Sequence, residues 1–489
     1  MANLHGLIES WWRELPRDAA ARWASLFFSL HALTLLISVA ASQAFLAVAT
    51  VAFFAHLLRG ARVSLPLWRE RPAPERGQDA RATAGETPAP LAINFPPVKL
   101  PLLLFCLATI NSVIWAEHPE AGGFALRKLV LFLILLLGVN LVVSRRHLSG
   151  LLRGIFFVAA VAGLVGIAQF ITQYDRVLRY HHNRVYFYMT LTRTHGFMGH
   201  WMNFGGQQML VFSALLAFVF LSGAVIGSPP QREEGLGGGG YQDRHSINHP
   251  LTPSLPGRGI TRWLYWLILA LVAISLVLNF TRGVWLGCLV AALYVLARWK
   301  PRTLWAVPLL LLVVVLAGPS LIRRRVSLVF HPKEDPALAI RLEMWRTGLR
   351  MVREHPWVGV GPDNIPLVYM KYLPPGTTPI LGYHDHLHDN VLQLAAERGL
   401  PCLIAWLWFM LALGWHILRI RRSLSSTPWV ADAAFAAWLA FVAEGFFEFN
   451  FGTTPVLMVF LFLMSTPFIA ERLEKAAGAD RPENEERRI

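Results

Sequence analysis

Apolar and polar positions fall in long blocks along this chain rather than in a short amphipathic rhythm. Apolar runs lie near residues 25–41, 43–58, 98–115, 129–143, 151–171, 207–226, 263–280, 283–297, 303–322, 400–418, 429–447 and 455–469. Each approaches the roughly 20 residues that cross a bilayer as a helix. Lipid offers no partner for backbone N–H and C=O groups, so spanning segments of this kind must be helical. The pattern predicts an all-α, multi-pass bundle of about twelve transmembrane helices. The end of the first run, S-V-A-A-S-Q-A, is similar to a signal-peptidase site but is read as uncleaved.

Between these runs the polar stretches divide by charge. Residues 59–97 carry Arg59, Arg62, Arg69, Arg71, Arg76 and Arg81 among prolines. Residues 227–261 contain G-L-G-G-G-G and no periodicity, and no phosphate-loop lysine accompanies the glycines. Both segments read as flexible cytoplasmic loops. Arg145 and Arg146 follow run four, Arg298, Lys300 and Arg302 follow run eight, and Arg419, Arg421 and Arg422 follow run ten. Basic loops stay in the cytoplasm, so both termini are expected there. The segment before the first run, with Trp11, Trp12, Arg13, Arg17 and Arg22, predicts a short interfacial helix.

Composition agrees with this pattern. Hydrophobic residues make up 55% of the 489 positions and charged ones 15%, and mean hydropathy is +0.45. Ordinary soluble domains carry roughly 25% charge and are excluded. The net charge of +15 suits membrane loops better than a nucleic-acid partner. Cys106, Cys288 and Cys402 all sit in apolar runs and form no disulfide or zinc framework.

Arginine also occurs where the insertion rule disfavours it. Arg176, Arg179, Arg184 and Arg193 fall in an outer loop, Arg282 in an outer turn, and Arg341, Arg346, Arg350 and Arg353 in the large loop 323–398 between runs nine and ten. Local salt bridges to Glu343 and Glu354 are one account of them. Anion binding at the outer face is the other, because the guanidinium fork donates two hydrogen bonds at once. Within this loop, Arg341–Val352 has helical period, with Leu342, Trp345, Leu349 and Val352 on one face and the arginines on another. H-P-W-V-G-V-G-P-D-N then predicts a rigid turn. Glu444 and Glu448, spaced i, i+4, are expected to pair with an outward arginine.

The loop ends in Y-H-D-H-L-H-D-N-V-L-Q-L-A-A-E-R-G-L, residues 383–400. Alternate histidines, His384, His386 and His388, would share one side of an extended strand and so suit zinc. No cysteine is near, and the stretch after His388 reads as helix. A serine nucleophile lacks its G-x-S-x-G motif. A general base remains, since a histidine exchanges protons near neutrality.

Four motifs together resemble the O-antigen ligase family of bacterial lipopolysaccharide assembly. They are T-R-T-H-G-F-M-G-H-W-M-N-F (192–204), N-F-T-R-G-V-W-L (279–286), R-L-E-M-W with H-P-W-V-G-V-G-P-D-N (341–364), and H-D-N-V-L-Q-L-A-A-E-R-G-L (388–400). The resemblance implies a GT-C-like membrane glycosyltransferase in the bacterial inner membrane, with its active site facing the periplasm. It implies transfer of O-antigen polysaccharide from undecaprenyl diphosphate to lipid A–core, with inversion and without metal or other cofactor. The family's catalytic histidine corresponds to His388, although Asp389 separates it from Asn390 where relatives have H-N directly, so His386 stays open as the base. The diphosphate-binding arginines correspond to Arg193 and Arg282, then Arg341 and Arg346, with His386 and Asn390 also near substrate. O-antigen polymerases and protein O-oligosaccharyltransferases share the resemblance. A lipid or glycan transporter would instead concentrate polar groups at midplane.

Overall fold

The computed structural model describes residues 14–16, 18–64, 93–179, 193–223, 258–317, 336–377 and 385–479, with five further positions between 323 and 331. Trp11, Trp12, Arg13 and Arg17 of the expected interfacial segment, most of the two cytoplasmic loops, Arg184 and His384 lie outside the described residues, while Arg22 falls in the first helix. Each apolar run coincides with a helix, and the described residues contain no strand. In chain order the helices are α1 (Ala19–Thr34), α2 (Val39–Ser64), α3 (Lys99–Ile114), α4 (Gly123–Leu129), α5 (Leu133–Leu141), α6 (Arg145–Arg179), α7 (Trp201–Leu221), α8 (Arg258–Leu278) and α9 (Arg282–Trp299). They continue with α10 (Val307–Ala317), α11 (Pro336–Glu354), α12 (Ile365–Tyr372), α13 (Asn390–Ser423), α14 (Pro428–Gly445) and α15 (Thr454–Ala479). Among the described residues seven helical stretches are long and apolar enough to cross a membrane, and three shorter apolar ones accompany them. The chain is a multi-pass helical membrane protein.

The core forms around α14 and α15. Val456–Leu463 are buried on every side, as only a helix surrounded by other helices can be. α15 packs on α5, α7, α13 and α14, and α14 also packs on α7, α9 and α13. By contrast Leu309, Leu310 and Leu312 on α10 are each more than half exposed. A helix apolar all round with no buried face has lipid as its partner.

One end of the bundle collects basic side chains. Arg421 and Tyr294 both bond the buried Asp432 at 2.6 Å, and Arg145 bonds Ser426 at 2.8 Å. At the opposite end α7, α9 and α13 begin and α14 finishes, and the polar side chains of the next section gather there.

α13 starts ten residues before the apolar run expected at 400–418, and it is broken at Gly399. Gly399 has φ 78° and ψ 168°, a region essentially closed to other residues. Pro401 follows and has no N–H for the carbonyl of Glu397. The rigid turn after α11 supplies the missing partners. Val360 N–H donates to Ala396 O at 2.9 Å, Gly361 N–H to Glu397 O at 2.8 Å, and Leu400 N–H to Pro356 O at 2.8 Å. Ser112 of α3 adds its hydroxyl to Glu397 O at 3.0 Å. The backbones meet so closely that a Cβ on Gly359 would lie 2.2 Å from the carbonyl carbon of Glu397. The glycines of V-G-V-G thus serve contact with the broken helix.

α11 packs through the side that holds Gly348. Met344, Thr347, Gly348 and Met351 form its buried side, while Leu342 and Leu349 are exposed. Gly348 explains the choice, because Leu387 and Leu392 fill the space where its Cβ would stand.

The arrangement of charged ends predicts sidedness. A cysteine replacing Thr377 should react with an impermeant thiol reagent in whole cells, and one replacing exposed Ser425 should not. Labelling of Ser425→Cys with protection of Thr377→Cys would invert the orientation.

Candidate active site

The loop from Asp385 to Asp389 is fixed by its middle residue. Leu387 is fully buried. Its N–H donates to Gln393 Oε1 at 2.6 Å, and its carbonyl accepts from Trp345 Nε1 of α11 at 3.1 Å. Gln393 in turn donates to Glu397 Oε1 at 2.8 Å, and the same oxygen accepts from Asp363 N–H of the turn at 3.0 Å. A chain of hydrogen bonds therefore runs from the helix break to the histidine loop. Anchoring Leu387 through both its N–H and its carbonyl holds His386 and His388 in place on either side of it.

Both imidazoles meet one carboxylate. His386 Nε2 lies 3.1 Å from Glu448 Oε1, and His388 Nδ1 lies 3.1 and 2.9 Å from the two Glu448 oxygens. The two rings are 4.3 Å apart, centre to centre. A carboxylate only accepts, so the facing nitrogens carry hydrogen. In neutral His388 the lone pair is then on Nε2. His388 also has φ 51°, a strained value for a residue with a side chain. Its strain is held by the anchored Leu387 before it and by the helix cap after it.

Burial would raise the pKa of Glu448, but the hydrogen bonds from His386 and His388 and their charge outweigh it and hold it well below the usual carboxylate range. Burial would likewise lower His386, yet the hydrogen bond and charge of Glu448 raise it instead. Glu444 and Glu448 thus have partners other than those expected from the sequence. Glu448 meets the two histidines, and Glu444 Oε2 accepts from Asn450 Nδ2 at 2.9 Å. An outward arginine was the expected partner because arginines are abundant in the outer loops; the turn between α14 and α15 instead brings Glu448 under the histidine loop.

Asp389 and Asn390 both make structural hydrogen bonds. Asp389 caps α13, accepting from Leu392 N–H at 2.7 Å, and does not orient His388. Asn390, expected beside substrate, is buried with both ends of its amide engaged. It donates to Asn450 Oδ1 at 2.7 Å and accepts from Phe451 N–H at 3.2 Å, fastening the start of α13 to the turn that bears Glu448.

The two arginine motifs come together through Asn279, which is fully buried. Its amide donates to Thr194 O at 3.3 Å and to Trp201 O at 3.0 Å, tying N-F-T-R to T-R-T-H-G. Arg193 lies over the Trp201 indole, 5.0 Å from its centre. His200 stacks on the same indole at 3.9 Å and lies within electrostatic reach of Glu448, His386, Arg193 and His388. Arg282 is the first residue of α9, and neighbouring Gly283 packs on Glu444 and Phe447 at the end of α14. Arg193 and Arg282 therefore stand at the same end of the bundle as the histidines. Arg341 is half-buried on α11, one turn before the Trp345 that holds Leu387. Arg346 is exposed further along that helix.

His386, His388 and Glu448 also bring three ligand-capable atoms within 4.8 Å of one another. Two histidines and a carboxylate could hold zinc, whereas His384, the third member of the expected strand, lies outside the described residues. The separations of 2.9–3.1 Å are those of hydrogen bonds.

Glu448→Gln should lower the pKa of His386, read from its ring NMR signals across pH. The sign follows from the shifts. A raised histidine contributes stability below its free value and loses it as pH rises through the raised one, while a depressed carboxylate contributes above its free value. The stabilisation by this pair should peak between the ordinary carboxylate and histidine ranges and vanish in the variant.

A search of curated proteins finds no match to the chain. A family described as O-antigen ligase does match, over residues 267–407. That stretch holds Arg282, Arg341, Arg346, His386, His388 and Asn390; Arg193, His200 and Glu448 lie outside it. The domain is shared by O-antigen ligases, O-antigen polymerases and related membrane glycosyltransferases. The stretch that matches the O-antigen ligase family runs from α8 into the middle of α13, across the histidine loop and its anchoring turn.

Proposed function

We propose that the protein is an O-antigen ligase, moving a polysaccharide from undecaprenyl diphosphate to a sugar hydroxyl of lipid A–core at the periplasmic face of the inner membrane. The observation that carries the mechanism is the bond from His388 Nδ1 to Glu448. It assigns the tautomer with its lone pair on Nε2, the form a general base needs.

The acceptor hydroxyl gives its proton to His388 Nε2 as its oxygen bonds the anomeric carbon of the donor. The bond from that carbon to the diphosphate oxygen breaks, and its electron pair leaves on the diphosphate. Direct displacement inverts the anomeric centre. Arg193 and Arg282 meet the charge that grows on the leaving group, where preorganised donors are most effective. The imidazolium formed at His388 is stabilised by Glu448, as the carboxylate of a Ser-His-Asp triad stabilises its histidine.

A base of this kind contributes about 10²–10⁴-fold in rate. His388→Ala should therefore lose ligation in membranes with matched protein levels, while His386→Ala keeps a measurable part. Retention in His388→Ala with loss in His386→Ala would make His386 the base. In a deletion strain the lipopolysaccharide gel separates the neighbouring activities. Loss of the O-antigen ladder with accumulating lipid-linked polymer identifies a ligase, and a single-repeat product identifies a polymerase.

Arg282→Ala should abolish transfer and Arg282→Lys should restore it poorly, because lysine lacks the bidentate fork. Full activity in Arg282→Ala would remove that residue from the site. With arginines meeting the leaving charge, chelation should leave the purified protein active. The proximity of His386, His388 and Glu448 favours one rival reading, a zinc site, and loss with EDTA followed by recovery with zinc would establish it.

A further inference from the structure

His200 has no part in the reading so far, yet it stands beside the proposed site with its tautomer fixed. It caps α7, and its Nδ1 accepts the backbone N–H of Met202 at 3.2 Å. A ring nitrogen that accepts an N–H carries no hydrogen of its own. The hydrogen of neutral His200 is therefore on Nε2, the opposite choice from His388. The ring is also held in place, since it stacks on Trp201 at 3.9 Å while Arg193 lies over the same indole at 5.0 Å. One indole thus holds both a cation and a neutral N–H donor. Burial lowers the pKa of His200; Glu448 pulls it up, and His386 and Arg193 act with burial, so the net direction is down. The net shift favours the neutral ring.

We propose that His200 is a further substrate-binding and catalytic residue, whose Nε2–H donates to a phosphoryl oxygen of the lipid diphosphate beside Arg193. This rests on the reading of the site as one that takes a diphosphate donor. A neutral imidazole can hydrogen-bond a growing negative charge without adding to the repulsion among neighbouring cations, a role known from other enzymes whose histidine stays neutral at neutral pH. No covalent bond to His200 forms or breaks; the hydrogen stays on Nε2 and the electron pair stays on the departing phosphate.

The test uses the full chain purified in detergent, with lipid-linked polysaccharide and lipid A–core as substrates. His200→Asn keeps a side-chain oxygen able to cap α7 but lacks the remote donor. Removing one preorganised donor typically costs about 10²–10³-fold in kcat. We expect a loss of that order, an unchanged KM for the acceptor, an unchanged melting temperature and weaker inhibition by undecaprenyl diphosphate. Wild-type kcat in His200→Asn would reduce the residue to a cap and overturn the proposal. So would a loss of rate with inhibition by undecaprenyl diphosphate unaltered. Should the variant fold poorly, the unaltered chain with ¹⁵N-labelled histidine decides. An Nδ1–H tautomer at His200, or an Nε2–H signal unmoved by saturating undecaprenyl diphosphate, overturns it. The underlying reading fails separately, when wild-type protein transfers nothing from a lipid diphosphate or when His388→Ala is fully active.

Discussion

The site depends on one buried carboxylate. Glu448 is nearly inaccessible to water, and an unpaired charge in such a place is strongly disfavoured. Two imidazole N–H donors resolve this, and they come from a loop about 60 residues away in sequence. The requirement works in both directions. The carboxylate stays ionised because the histidines face it, and each histidine keeps its hydrogen on the facing nitrogen because the carboxylate is ionised. The turn after α14 and the approach to α13 are thereby locked to one another, and Asn390 and Asn450 repeat the lock one layer deeper.

The break in α13 gives that lock its position. A straight helix of the length of α13, at about 1.5 Å per residue, would outrun a bilayer core of roughly 30 Å. Gly399 and Pro401 divide it into a membrane rod and a short outer segment. Dividing a helix frees carbonyls, and here the glycine turn after α11 takes them up. Glu397 stands at the break and connects it through Gln393 to Leu387. The geometry at His386 and His388 is in this way set by the same residues that terminate the span.

Much of this was legible in the chain. Block hydropathy located the helices, because an apolar run in lipid must satisfy its own backbone, and two of the arginine motifs share an end of the bundle with the histidines. H-x-H-x-H located the loop. The partner of the histidines was not legible, since i, i+4 spacing ties Glu448 to Glu444 on paper, whereas α14 ends at Gly445 and turns Glu448 away. Asp389, adjacent to His388, turns its carboxylate to the cap of α13 instead. The packing side of α11 was not legible for a related reason. Apolar periodicity marks where greasy side chains are, and close packing there required a glycine, Gly348, with Leu387 against it. The role of Asn279 as a tie between two arginine motifs depends on contacts 78 and 85 residues apart, and no local pattern encodes those.

The shared carboxylate also ties the two histidines to one another. Against burial, Glu448 raises the proton affinity of His386 by accepting its hydrogen bond, and the same contacts favour the ionised form of the carboxylate. His388 meets both oxygens of that carboxylate, with its ring 4.3 Å from that of His386. One carboxylate therefore orients two rings at once, and a change at either histidine alters what the other shares. In the proposed step His386 needs no contact with the reacting atoms to matter, because it shares the group that orients His388.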